Sequence, residues 1–224
     1  MLSVERKVVL ADDEQYWRKI VSGALLVALR ERDSREPSVN QAEGSLQLLE
    51  EVFFGTTPDI VTLDHDYEQG DYNAWKVSEG AIEGVAKNLG VDFNPIKKPD
   101  RGRWTVIGEM PDDLYYPNSI NFGLILRFLG YGGKIMVVSS DPPEPGYILR
   151  ELEKLNVHLR TFNVEINNPI DAVICKPSRH YPNDFKFATE ITDQTFDGSL
   201  RWKYQRIKAE SFSVAVGELL KVLN

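Results

Sequence analysis

Four short apolar runs punctuate the chain: KVVLA (7–11), IVTL (60–63), KIMVVSS (134–140) and AVICKP (172–177). None alternates apolar with polar residues. That pattern suits parallel strands buried on both faces. Stretches of helical periodicity lie between them. From about Glu14 to Arg30 the apolar residues Trp17, Ile20, Val21, Ala24, Leu25 and Ala28 share one face, which predicts an amphipathic helix. AEGSLQLLEEVFF (42–54) predicts a second helix, stopped by Gly55 and Pro58. Asn118 is placed to cap a helix running to about Leu129, with Gly130 where a C-terminal glycine belongs. Ile148, Leu149, Leu152 and Leu155 mark a helix over 146–155, and an amphipathic helix over 209–223 closes the chain. The polar segment 33–40 predicts a loop and a poor edge strand, and 178–208 reads as a polar stretch.

Residues 68–117 break this rhythm. A helix over 74–89 is weakened by Gly80 and Gly84, and WTVIGEM (104–110) reads as a short strand. Outside this insertion, strand and helix alternate. The expectation is an α/β fold with a doubly wound parallel sheet. Ligands of such sheets bind beyond the carboxyl ends of the strands. Four polar clusters fall there: Asp12-Asp13, Asp64-His65-Asp66, Ser139-Ser140 and Lys176-Pro177.

Composition narrows the function classes. The 224 residues, 42% hydrophobic and 27% charged, support a core without staples. A net charge of −8 disfavours general nucleic-acid binding, which needs clustered Lys and Arg. Cys175 is the only cysteine, so no internal disulfide can form. No apolar run approaches the ~18 residues that span a membrane, and the N-terminus does not read as a signal peptide. The expected setting is cytoplasmic.

The clusters suggest a chemistry. Carboxylates that converge repel one another and stay ionised when a cation sits among them. An all-oxygen donor set suits Mg²⁺. A carboxylate can also act as a nucleophile toward phosphorus, forming an aspartyl phosphate. A lysine and a hydroxyl beside it would then stabilise the phosphoryl oxygens.

The residues resemble the receiver domains of response regulators. VVLADDE is similar to their first strand and acidic pair, and PDIVTLD to the third strand with its phosphoacceptor. KIMVVSS is similar to the fourth strand with its switch hydroxyl, and AVICKP to the fifth with its Lys-Pro pair. The resemblance covers roughly residues 5–67 and 118–180. It implies a five-stranded parallel sheet of order 2-1-3-4-5, in a receiver-like domain over 1–180 that carries the insertion at about 68–117. A C-terminal extension, 181–224, would end in a helix packed on the same domain. Carried over residue by residue, Asp12, Asp13 and Asp64 would hold Mg²⁺, with the backbone carbonyl of Asp66 completing the site. Asp64 would accept the phosphoryl group. Ser139, rather than Ser140, would contact it, and Lys176 would pair with it. A histidine kinase or a small phosphodonor would supply the group, and a protein output partner would read the change.

Other readings compete. The Asp-His-Asp triplet is unusual for receivers. It is also similar to a receiver-like group predicted to process cyclic phosphates, where His65 would be an acid or base. Haloacid-dehalogenase-like phosphatases share the order Asp64-x-Asp66, Ser139, Lys176, with the insertion as a cap. That assignment makes Asp64 the nucleophile and Asp66 the general acid. It leaves Asp12-Asp13 without a role and offers only Asp193 as a later acid. A degenerate receiver serving as an interaction module is a further alternative. On structural readings, acids after strands cap helices, His65 packs at the solvent edge, and Cys175 is a small apolar filler.

Overall fold

In a computed structural model, the four apolar runs become four parallel strands of a central sheet. The structure describes residues 6–32, 36–67, 72–96, 114–115, 117–177, 183–193 and 199–223. The elements are β1 (Arg6–Ala11), α1 (Gln15–Arg30), β2 (Pro37–Ala42), α2 (Ser45–Phe53), β3 (Ile60–Leu63), α3 (Tyr72–Trp75), β4 (Val77–Ser78), α4 (Glu79–Leu89), β5 (Leu114–Tyr115), α5 (Ser119–Phe128), β6 (Lys134–Ser139), α6 (Pro145–Leu159), β7 (Ala172–Cys175), β8 (Asp184–Ala188), β9 (Ile191–Asp193), β10 (Leu200–Trp202), β11 (Gln205–Lys208) and α7 (Phe212–Leu223). The strand expected at 104–110, His180 and all of the basic run 96–103 except Ile96 lie outside the described residues.

The sheet has seven strands in the order β11-β8-β7-β6-β3-β1-β2. Strands β2, β1, β3, β6 and β7 are mutually parallel neighbours. Taken alone, they run 2-1-3-4-5 in chain order. The expected count of five is therefore corrected to seven. β8 adds antiparallel to β7, and β11 antiparallel to β8. Both strands come from the stretch read as polar, so the C-terminal residues are not purely helical. Phe185 and Phe187 of β8 are buried while Lys186 between them is half-buried. That alternation marks a strand with one face packed on the core.

Successive residues of the parallel strands enter opposite layers, as the two-residue period of a strand requires. Val9, Ala11, Val61, Leu63, Ile135, Val137 and Val173 pack with α2, α4, α5 and α6. Val8, Leu10, Ile60, Met136, Val138, Ala172 and Ile174 pack with α1 and α7. Both faces are covered, and the interiors of these strands are apolar except for Thr62 for that reason. Among the described residues no helix is long and apolar enough to cross a membrane.

The insertion starts and ends at one place. Asp66 and Asn118 form an isolated antiparallel bridge, and the Ser119 amide donates to the His65 carbonyl at 3.0 Å. Asn118 also caps α5, its side chain accepting from the Asn121 amide. The expected helix over 74–89 begins only at Glu79, where the Ser78 hydroxyl caps α4 by accepting from the Ala81 amide. Trp75 of α3 is buried against Tyr67 and Phe122, with ring centroids 4.3 and 6.1 Å away. Gly44 lets the insertion seat on the start of α2. A Cβ there would lie 2.7 Å from the Ala74 carbonyl oxygen, and the adjacent Ser45 hydroxyl donates to the Lys76 carbonyl at 2.9 Å.

Candidate functional site

Parallel strands end at a common edge, so residues far apart in sequence meet there. Asp12 and Asp13 follow β1, Asp64 follows β3, and Lys176 follows β7. Carboxylate oxygens of Asp12, Asp13 and Asp64 all lie within 4.8 Å of one another, and all three residues are buried. The Lys176 ammonium reaches across the sheet edge. It pairs with Asp12 Oδ2 at 2.9 Å and with Asp64 Oδ2.

Backbone donors fix the acids. The Glu14 amide donates to Asp12 Oδ1 at 2.9 Å, and the His65 amide to Asp64 Oδ1 at 2.7 Å. The Asp64 amide in turn donates to the Ala11 carbonyl, which ties the end of β3 to the residue before the acidic pair. Arg18, buried on α1, donates to the Asp12 carbonyl at 2.7 Å. Its guanidinium also lies 3.5 Å from Glu43. The Trp17 ring covers the lysine, its centroid 5.2 Å from the Lys176 nitrogen. This is a cation–π contact inside a desolvated site.

The electrostatics are unbalanced. Two buried carboxylates, Asp12 and Asp64, share Lys176, and a third, Asp13, lies beside them. Burial, then the charge of Asp64, pushes the Asp12 carboxyl up to about 7, although Lys176 pulls the other way. For Lys176, burial opposes the ammonium, but Asp64 and Asp12 outweigh it and the group is held above its ordinary value. More positive charge would relieve the strain on the acids. The donor set is all carboxylate oxygen, the chemistry that hard divalent cations such as Mg²⁺ take. Asp12, Asp13 and Asp64 therefore fit a cation.

This imbalance has a pH signature. The folded-state value of Asp12 lies above its unfolded value of about 4. The stability it contributes is therefore present below about pH 4 and lost as pH rises toward 7. In chelator-treated protein, Asp12→Asn should be at least as stable as wild type at pH 8 and lose that advantage near pH 4. Urea midpoints across this range measure it. A variant weaker at every pH would mean that the Asp12–Lys176 pair outweighs the burial of Asp12.

The remaining expected residues have definite places. Ser139 ends β6, the strand between β3 and β7, and is buried. Its hydroxyl accepts from the Asp141 amide at 3.3 Å, and its carbonyl accepts from the Lys176 amide. Ser140 is exposed. Asp66 does not join the carboxylate cluster, and its side chain is exposed where the backbone turns toward Asn118. His65 is half-buried, its Nδ1 2.9 Å from the Ser119 hydroxyl. Burial lowers the pKa of its imidazole, against the opposing charges of Asp66, Asp64 and Asp141. Cys175 is half-buried, and burial pushes its thiol up, as expected of an inert filler.

Sequence reasoning missed Trp17, Arg18 and Ser119 as neighbours of the site. Periodicity placed Trp17 on the apolar face of α1 but could not show that its ring meets Lys176. No protein-family model matches this chain, and no curated protein matches it either.

Proposed function

We propose that the chain is a Mg²⁺-dependent phosphoacceptor of the receiver kind, phosphorylated on Asp64. One observation carries this reading. The Asp64 carboxylate, at the end of a central strand, touches Lys176 and lies beside the Asp12–Asp13 pair. The run of five parallel strands in the order β2-β1-β3-β6-β7 supports it.

In this mechanism an Asp64 oxygen attacks the phosphorus of a donor. The new P–O bond forms as the bond to the donor's leaving group breaks, and the electron pair departs with that group. The donor is a histidine kinase or a small phosphodonor. Lys176 exchanges part of its pairing with the acids for the phosphoryl oxygens. The Ser139 hydroxyl turns to donate to one of them. Asp12, Asp13, Asp64 and the Asp66 carbonyl would hold Mg²⁺, which when bound supplies charge that neutralises the phosphoryl oxygens. A phosphoryl group brings about −1.5 to −2 charges, enough to reorder the loops around the site. A protein output partner in the cytoplasm would read that change.

Two alternatives fare less well. A dehalogenase-like phosphatase needs Asp66 as general acid, yet that carboxylate is exposed and outside the cluster. A degenerate module would have no need to assemble three acids and a lysine. The test is mass spectrometry after incubation with Mg²⁺ and acetyl phosphate. Wild type should gain one phosphoryl mass and Asp64→Asn none. An adduct that persists in Asp64→Asn would overturn the assignment, and steady hydrolysis of phosphate esters requiring Asp66 would favour the phosphatase.

A further inference from the structure

The four residues after β3 form a short bridge between the carboxylate site and the insertion. Asp64 belongs to the site. His65 binds the start of α5 twice, through its carbonyl to the Ser119 amide and through its ring to the Ser119 hydroxyl. Asp66 pairs with Asn118. Tyr67 is fully buried, and its hydroxyl donates to the Ala11 carbonyl at 3.3 Å. That carbonyl also accepts the Asp64 amide. The ring of Tyr67 stacks on Trp75 of α3 and meets Phe122 of α5 edge-on at 5.2 Å. Both ends of the insertion are therefore fastened within three residues of Asp64.

The opposite rim of the site is held differently. The loop after Ser139 is pinned by Trp202, whose indole N–H donates to the Pro143 carbonyl at 2.7 Å. The edge of β7 is covered by β8 and β11. Residues 65–67, by contrast, carry contacts from beside Asp64 to Ser119 and Phe122 of α5 and to Trp75 of α3.

We propose that the α3–α4 segment is the readout element of this site, moved through His65–Ser119 and through the Tyr67–Trp75–Phe122 stack. The proposal rests on the reading of Asp64 as phosphoacceptor. The stack is a packed, two-sided contact, and such contacts shift between discrete arrangements rather than deforming smoothly. Coupling of this kind is expressed as a change in local opening, which amide hydrogen exchange reads.

The experiment uses the full chain with Mg²⁺ and acetyl phosphate, and follows adduct mass and hydrogen exchange together. Phosphorylation should change exchange over residues 72–89 by about fivefold or more. Tyr67→Phe keeps the ring stack but removes the hydroxyl on Ala11. It should still form the adduct while most of the exchange response over 72–89 is lost. Ser119→Ala, which removes only the contact to the His65 ring, serves as an independent second variant with the same expectation. An adduct whose exchange response is confined to the loop after Ser139 and the β9–β10 hairpin would overturn the proposal and leave Asp64 as phosphoacceptor. So would a full response over 72–89 in both variants. No adduct in the wild-type chain would overturn both readings.

Discussion

Lys176→Met should destabilise the metal-free protein by about 3–5 kcal/mol, the usual cost of removing one partner from a buried ion pair. The lysine side chain is only 3% exposed, and its two partners, Asp12 and Asp64, are 1% and 8% exposed. Methionine fills similar volume, so the loss comes from charge rather than from a cavity. Three carboxylates would be left together without the ammonium that pairs with two of them. The size of the loss depends on pH. Without Lys176, Asp12 holds its proton to still higher pH, so the lesion should shrink on acidification and grow above neutrality. Mg²⁺ should restore much of the stability, since a ligand bound only by the folded state adds about 2.7 kcal/mol at one hundred times its Kd. Urea unfolding at pH 8, with chelator or with Mg²⁺, measures both effects. Equal midpoints for variant and wild type in chelator would show that the lysine does not hold the acids together.

A second large effect is expected at Trp75. Its side chain is 1% exposed and lies in the same core cluster as Ile82, Val85 and Ala86 of α4 and Phe122 of α5. Trp75→Ala should cost about 3–5 kcal/mol, the range for deleting a buried aromatic. The damage should be uneven. Exchange over 72–89 should accelerate first, because Trp75 joins α3 to the sheet domain through Tyr67. The strands of the central sheet should keep their protection until global unfolding. A loss below about 1 kcal/mol, within the range of ordinary substitutions, would mean that the insertion is anchored by Ser45 and Gly44 rather than by this ring.

Much of the architecture was legible in the sequence because buried parallel strands write an unmistakable pattern. Val8 to Ala11, Ile60 to Leu63, Ile135 to Val138 and Ala172 to Ile174 are apolar except for Thr62. The polar groups that follow them had to share one edge. The meeting of Asp12, Asp13, Asp64 and Lys176 was expected on that ground, although Lys176 and Asp64 stand 112 positions apart. β2 was hard to place because it is an edge strand, and its four middle residues are half-buried. β8 was lost because Asp184 and Lys186 gave its segment a polar cast, although Phe185 and Phe187 carried the period of two. The contacts of Trp17 with Lys176 and of Ser119 with His65 had no sequence signal. A period names the face of a helix but not what lies opposite.

The two strands added at the C-terminal side also bear on how the molecule behaves in a crowd of its own kind. An open sheet invites further strands along its unpaired edges, which is a route to aggregation. A sheet ending at β7 would present Ala172, Val173, Ile174 and Cys175, an apolar template. It ends instead at β11, where Gln205, Arg206 and Lys208 are exposed and only Ile207 is partly covered. The other edge, β2, opens with Pro37, which has no amide hydrogen to offer a neighbour. Each margin of the sheet thus carries a deterrent to strand addition, and on the β7 side it is supplied by the segment whose polar character first hid it.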